Sequence, residues 1–241
     1  MLRFTIFGVP VVVEPWFWLT TAMLGGGISA MNSSDPQVYL WVFVWMVICF
    51  ISILAHELGH ALTGIKYGGG KTWIKLWAMG GLAYNQGGRF TRNTRALMIL
   101  AGPGAGFCIF LLTVAFMHIK WPDGVGLEIL WKTMILNQSW VEVSAAGRAA
   151  ARADLTLVRI LETIVRINLW WSIINLLPIH PLDGGQFAEC FMRSRKKLHK
   201  IGMITGGCMV LFGIATQHYF IAVLFGFLAY QNYQQHEQAP Y

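Results

Sequence analysis

Residues Val38 to Tyr67 read VYLWVFVWMVICFISILAHELGHALTGIKY, an apolar run that holds His56, Glu57 and His60 in its second half. About 20 apolar residues suffice for a helix to cross the hydrocarbon core, so this segment is expected to span a bilayer. Ionisable residues inside such a span point to a functional site. On a helix His56 and His60 stand at i and i+4, one turn apart on one face, and both imidazoles can reach a single Zn²⁺. Glu57 leaves the axis about 100° from His56, close enough to hold a water on the same metal. That sets a base beside a metal-activated nucleophile, the requirement for zinc-assisted peptide hydrolysis. Gly59 and Ala61 are small enough to admit a second helix.

The remaining composition agrees with a membrane protein. Of 241 residues 56% are hydrophobic and only 12% charged, with mean hydropathy +0.53; soluble domains carry about 25% charge. Disorder, collagen and a disulfide-rich secreted module are excluded. Cys49, Cys108, Cys190 and Cys208 lie too far apart for a thiolate metal site or a small-domain framework. The formal charge of +7 comes from Lys and Arg spread between apolar blocks, which fits topology and not a nucleic-acid partner.

Further apolar stretches at Trp16–Met31, Ala96–Ile119, Val158–Leu177, Ile201–Gln217 and Tyr219–Tyr233 bring the expected spans to six, or five if the last hairpin, turning at Gln217-His218, does not cross fully. Lys71, Lys75, Arg89, Arg92 and Arg95 follow span two, and Arg193, Arg195, Lys196, Lys197 and Lys200 follow span four. Positive charge marks the cytoplasmic side, so both termini are expected there, with the cell (inner) membrane as the location. Met1 to Val13 is slightly extended and lacks the pattern of a cleaved signal peptide. Gly68 to Arg95 alternates at Trp73, Lys75, Trp77, Leu82 and Tyr84, as a β-hairpin or re-entrant sheet does. Pro122–Asp154 holds an amphipathic candidate at Leu127–Val143 lying on the outer face, and Ile179–Lys200 reads as a turn leading into a short surface helix. The expected class is an all-α polytopic membrane protein of about six transmembrane helices with a small membrane-associated β-hairpin or sheet. Residues 1–241 are expected to form a single integral-membrane domain.

Two histidines leave zinc short of a third protein ligand, which is commonly a carboxylate. Glu14 precedes span one. Glu162 stands i,i+4 from Arg166 and pairs most economically with it. Asp183 follows Pro178 and precedes Gly184-Gly185, between a helix breaker and residues that permit unusual backbone angles; it could also cap the following short helix.

These residues carry a resemblance. His56-Glu57-x-x-His60 in a span, then Asn175-x-x-Pro178 and Leu182-Asp183-Gly184-Gly185, resemble the site-2 protease family of intramembrane zinc metalloproteases. Gly8-Val-Pro-Val-Val-Val, Gly80-Gly81 and Ala101-Gly102-Pro103 extend the likeness over nearly the whole chain. The resemblance implies that His56, His60 and Asp183 bind one Zn²⁺ per chain and that Glu57 is the general base. It further implies that Asn175 helps polarise or position the scissile carbonyl, although Asn175 could instead cap backbone carbonyls. His180 departs from the family's usual residue there, and could hydrogen-bond near the site or merely face the cytoplasm. No PDZ or nucleotide-binding domain is expected, hence no nucleotide partner.

The function expected is hydrolysis of peptide bonds within or near the transmembrane segment of single-span membrane proteins, in regulated proteolysis or clearance of leftover signal peptides. The partners are that substrate and the lipid bilayer, and the active site lies nearer the cytoplasmic side. Two other readings stand beside it. One is a non-proteolytic zinc-binding membrane protein that binds other transmembrane helices; the other is a zinc enzyme acting on a small lipid-soluble substrate.

Overall fold

A computed structural model describes residues 1–238. Strands β1 (Leu2–Ile6) and β2 (Val9–Val13) form a hairpin whose turn residues Phe7 and Gly8 both have positive φ. β3 (Lys71–Trp77) and β4 (Gly80–Gln86) form a second hairpin. β2 pairs with β3 in parallel, Val11 opposite Ile74 and Val13 opposite Leu76, giving the order β1-β2-β3-β4. A parallel pair requires a long crossover. It is supplied by α1 (Pro15–Leu24), α2 (Gly27–Met31) and α3 (Pro36–Gly68).

Alternation in β2 turns Val9, Val11 and Val13 inward, where with Phe17, Ile74 and Leu76 they bury Ile53, Leu54, Leu58 and Ala61 of α3. Period-2 strands thereby roof the helix segment that carries the His-Glu-x-x-His motif. The hairpin or sheet expected at Gly68–Arg95 is there as β3 and β4, and the amino-terminal strands widen it to four strands.

Among the described residues three helices are long and apolar enough to cross a membrane: α3, α4 (Arg92–Lys120) and α9 (Arg195–Ala215). α3 begins at Asp35, which caps the Gln37 amide, and α4 begins at a Thr91–Thr94 capping box. The other expected spans differ in form. Trp16–Met31 is not one helix, since Gly26 at φ 89° separates α1 from α2. α7 (Leu155–Asn175) carries Arg159, Glu162 and Arg166, and α10 (Tyr219–Gln238) ends in a polar run. α9 and α10 form the tight hairpin expected around Gln217, whose φ is 60°.

The amphipathic helix expected at Leu127–Val143 is broken. α5 (Val125–Ile129) passes into a π-helical turn at Leu130–Ile135, and Asn137 then takes a left-handed conformation before α6 (Ala145–Ala153). Ile129, Leu130, Met134 and Val143 pack with Met117 and Val158 as a cap over the ends of α4 and α7. The basic run 193–200 likewise enters the first turns of α9, capped by Ser194, after a short α8 (Asp183–Phe191).

Glu128 pins this cap. Its carboxylate accepts from the Ser144 hydroxyl at 2.6 Å, the Ser144 amide at 2.9 Å and Lys132 Nζ at 3.0 Å. The Ser144 hydroxyl first, then the Lys132 ammonium, hold its pKa down at about 2 against an ordinary 4.5. A depressed acid stabilises the fold above its unfolded pKa and loses that contribution as pH falls through its folded one. Amide exchange at Ser144 and Gly147 is therefore expected to stay protected at pH 5–7 and to accelerate beyond its intrinsic rate as pH falls from about 4.5 toward 2. Glu128→Gln should show the loosened exchange already at pH 7; unchanged exchange there would assign the cap's order to its apolar core alone.

Candidate metal centre

The α3 helix delivers His56 and His60 to one side, and the start of α8 brings Asp183 to them from 127 residues away. His56 Nε2 lies 3.0 Å from Asp183 Oδ2, His60 Nε2 lies 3.3 Å from Asp183 Oδ1, and the two Nε2 atoms are 3.2 Å apart. Four-coordinate zinc with bonds of about 2.0–2.1 Å spaces its ligands by about 3.3 Å. The three side chains therefore fit a zinc ion, with neutral imidazole and carboxylate as its usual donors. His60 Nδ1 donates to the Met98 carbonyl at 2.8 Å, which leaves its Nε2 lone pair facing the cluster.

Glycines make the close approaches. A Cβ on Gly59 would strike the Ala101 carbonyl, so α3 and α4 touch backbone to backbone there. One on Gly102 would fall on the His60 ring, and one on Gly81 of β4 would fall on the Glu57 side chain. Gly184 and Gly185 are needed for contact, since Cβ atoms there would meet the backbone of Leu176 and Ile179. Neither has positive φ, which corrects the expectation of unusual backbone angles. Leu182, and not Asp183, occupies the cap of α8.

Glu57 is buried, next to His56 on the same helix. Asn175 donates to the Trp171 carbonyl at 2.9 Å, a bond within its own helix. Glu162 pairs with Arg166 at 2.9 Å, as its spacing predicts, and Glu14 pairs with Lys75 at 2.7 Å. Neither joins the cluster. His180 is half-buried, with Nδ1 enclosed and its ring edge-on to His199. The placing roles of Gly81, of Gly102 and of the Met98 carbonyl were not read from the sequence. The glycine pairs at 80–81 and in Ala101-Gly102-Pro103 were the available signal, but what packs against them depends on the tertiary fold.

The architecture resembles a solved structure, the site-2 protease from Methanocaldococcus jannaschii, with TM-score 0.58 and 22% identity over 98% of this chain and 94% of that one. A zinc metalloprotease of the same organism is 24% identical over 96% of this chain and 59% of its own length. Stage IV sporulation protein FB of Bacillus subtilis is 24% identical over 95% of this chain and 67% of its own. The chain thus spans 59% of the length of that zinc metalloprotease. Residues 44–214, which include His56, Glu57, His60 and Asp183, match the family model itself. With the motif, the converging carboxylate of Asp183 and the matched length together, the chain belongs to peptidase family M50, and is an integral membrane protein.

Proposed function

We propose that the chain is an intramembrane zinc endopeptidase that hydrolyses peptide bonds within or near the transmembrane segment of single-span membrane proteins. The observation that carries this reading is the convergence of His56, His60 and Asp183 beside the buried carboxylate of Glu57. One zinc per chain, held by those three residues, supplies Lewis acidity at the site.

The chain's own groups do the rest. Glu57 accepts the proton of the attacking water and delivers it to the leaving amine. The bare Cα of Gly81 leaves its carboxylate room, and the sheet and α4 restrict access of bulk water. Asn175 is proposed to donate to the scissile carbonyl; to do so its amide exchanges the Trp171 carbonyl for the substrate. Peptide bonds in a helix are shielded, so the substrate is taken extended. β4 pairs only with β3 among the described strands, and its free edge beside Glu57 suits a substrate strand added by backbone hydrogen bonds.

We place six crossings in the membrane, with α1–α2, α7 and α10 beside the three long apolar helices. Both termini and the sheet are then cytoplasmic, in the cell (inner) membrane, following the positive clusters at 71–95 and 193–200. The substrate is a single-span protein, a signalling precursor or a leftover signal peptide.

Co-expression with a library of single-span reporters tests the reading, comparing wild type with His56→Ala and weighing zinc in the purified proteins. Shortened reporters with wild type alone, and about one zinc per wild-type chain, are expected. One zinc per chain with every reporter intact would put the non-proteolytic, helix-binding reading in its place.

A further inference from the structure

A metal-binding histidine has a second ring nitrogen, and the group that satisfies it sets tautomer and ring orientation. His60 has the Met98 carbonyl in that place. For His56 no such partner is present: Nδ1 is buried without a hydrogen bond. Two other buried polar atoms on α7 are also unpartnered, Asn168 Oδ1 and Ser172 Oγ. Both residues are closed off, at 2% and 0% exposure. Buried polar groups are nearly always paired, so three such atoms in one layer call for a common partner.

Their common layer follows from the contacts. Asn168 Nδ2 donates to Ser52 Oγ at 2.9 Å, one turn before His56 on α3, and to the Ile164 carbonyl at 2.9 Å. Both amide hydrogens are thereby used and only the acceptor Oδ1 is left. Ser172 lies one turn beyond Asn168. On α4, which runs antiparallel to α3 (Gly59 against Ala101, Gly64 against Met98), Gly102 meets His60. Gly106, one turn along α4, meets Ser172 Oγ and the Asn168 carbonyl. Both routes, through Ser52 and through Gly106, set Ser172 at the depth of His56.

We propose that one internal water joins His56 Nδ1, Asn168 Oδ1 and Ser172 Oγ, and that Ser172 and Asn168 are positioning residues for the His56 ring. The inference rests on His56 being a zinc ligand. The hydrogens balance: the His56 N–H and the Ser172 O–H donate to the water, and the water donates to Asn168 Oδ1. Three bonds are usual for a buried water. Nδ1 then carries the proton and Nε2 keeps its lone pair for the metal.

The test uses the purified full chain in detergent, with zinc affinity measured by chelator competition, the visible spectrum of the cobalt-substituted protein, and thermal unfolding of the metal-free form. Ser172→Ala is expected to weaken zinc binding about 10–100-fold and to shift the cobalt bands, with metal-free unfolding unchanged. Ser172→Thr, which keeps a hydroxyl, should recover most of the affinity. Thr113→Ala removes a buried hydroxyl elsewhere on α4 and should match wild type. Wild-type zinc affinity in Ser172→Ala would overturn the proposal, as would equal losses in the Ala and Thr variants, or a loss shared with Thr113→Ala. His56→Ala separates the two levels: if it keeps zinc, the ligand assignment itself fails, whereas if it loses zinc while Ser172→Ala does not, only the positioning role fails.

Discussion

Glu57→Gln is expected to bind zinc as wild type does, keep the fold and lose hydrolysis by about 10⁴-fold or more. Gln matches Glu in shape but cannot take a proton, and a positioned acid–base group contributes roughly 10²–10⁴-fold. Here one carboxylate is asked to serve both the water and the leaving amine, which puts the loss at or beyond the top of that range. The site is also tightly fitted around it, since Gly81 has no space for even a Cβ against the Glu57 side chain, and the neighbouring Asp183 carboxylate is engaged with His56 and His60. Uncut substrate should accumulate on the variant and be recovered with it. Glu162→Gln is the control, because Glu162 is committed to Arg166. Cleavage by Glu57→Gln at the wild-type rate, with zinc bound, would remove Glu57 from the mechanism.

Two glycine substitutions should separate the metal from the base. Gly102→Ala sets a methyl where the His60 ring lies. The ring must turn away, its bond to the Met98 carbonyl breaks, and the centre is left with two ligands. Zinc affinity is expected to fall by at least the roughly 10–100-fold seen for loss of outer-shell support, and activity with it. Gly81→Ala sets its methyl against the Glu57 carboxylate instead. It should retain zinc while cleaving at least about 100-fold more slowly. Metal analysis and reporter cleavage on the same preparations check both. Normal zinc binding in Gly102→Ala would mean that α4 yields easily, and that the glycine does not set the ring's place.

Much of the centre was legible because its chemistry is local. His56, Glu57 and His60 sit within five residues of one helix, and a helix converts that spacing into a shared face without help from the rest of the fold. Asp183 was a candidate for another reason, since few carboxylates occur near the apolar segments and Glu162 already had a partner in Arg166; it was the resemblance carried by Leu182-Asp183-Gly184-Gly185 that singled it out. The parallel β2–β3 pairing was not legible. Its strands are separated by α1, α2 and α3, and alternation in Val9–Val13 says which side chains turn inward but not which strand lies alongside. The second ring partners of the histidines were hidden as well, since a backbone carbonyl such as that of Met98 has no sequence signature. The form of the first apolar stretch was hidden as well, since sequence windows do not see the break at Gly25-Gly26, where it becomes two short helices.

The length of α3 also bears on the fate of a cleaved substrate. The helix runs from Pro36 to Gly68, so His60 lies only eight residues from its end, about 12 Å at roughly 1.5 Å per residue. A substrate bond cut at that depth leaves its cytoplasmic fragment with a short apolar tail, well below the roughly 17 residues needed to stay threaded through a bilayer. Under the proposed topology, each cut therefore frees the fragment facing the sheet and leaves the other anchored. On the proposed activity, the position of two histidines along one helix makes each cut an act of release.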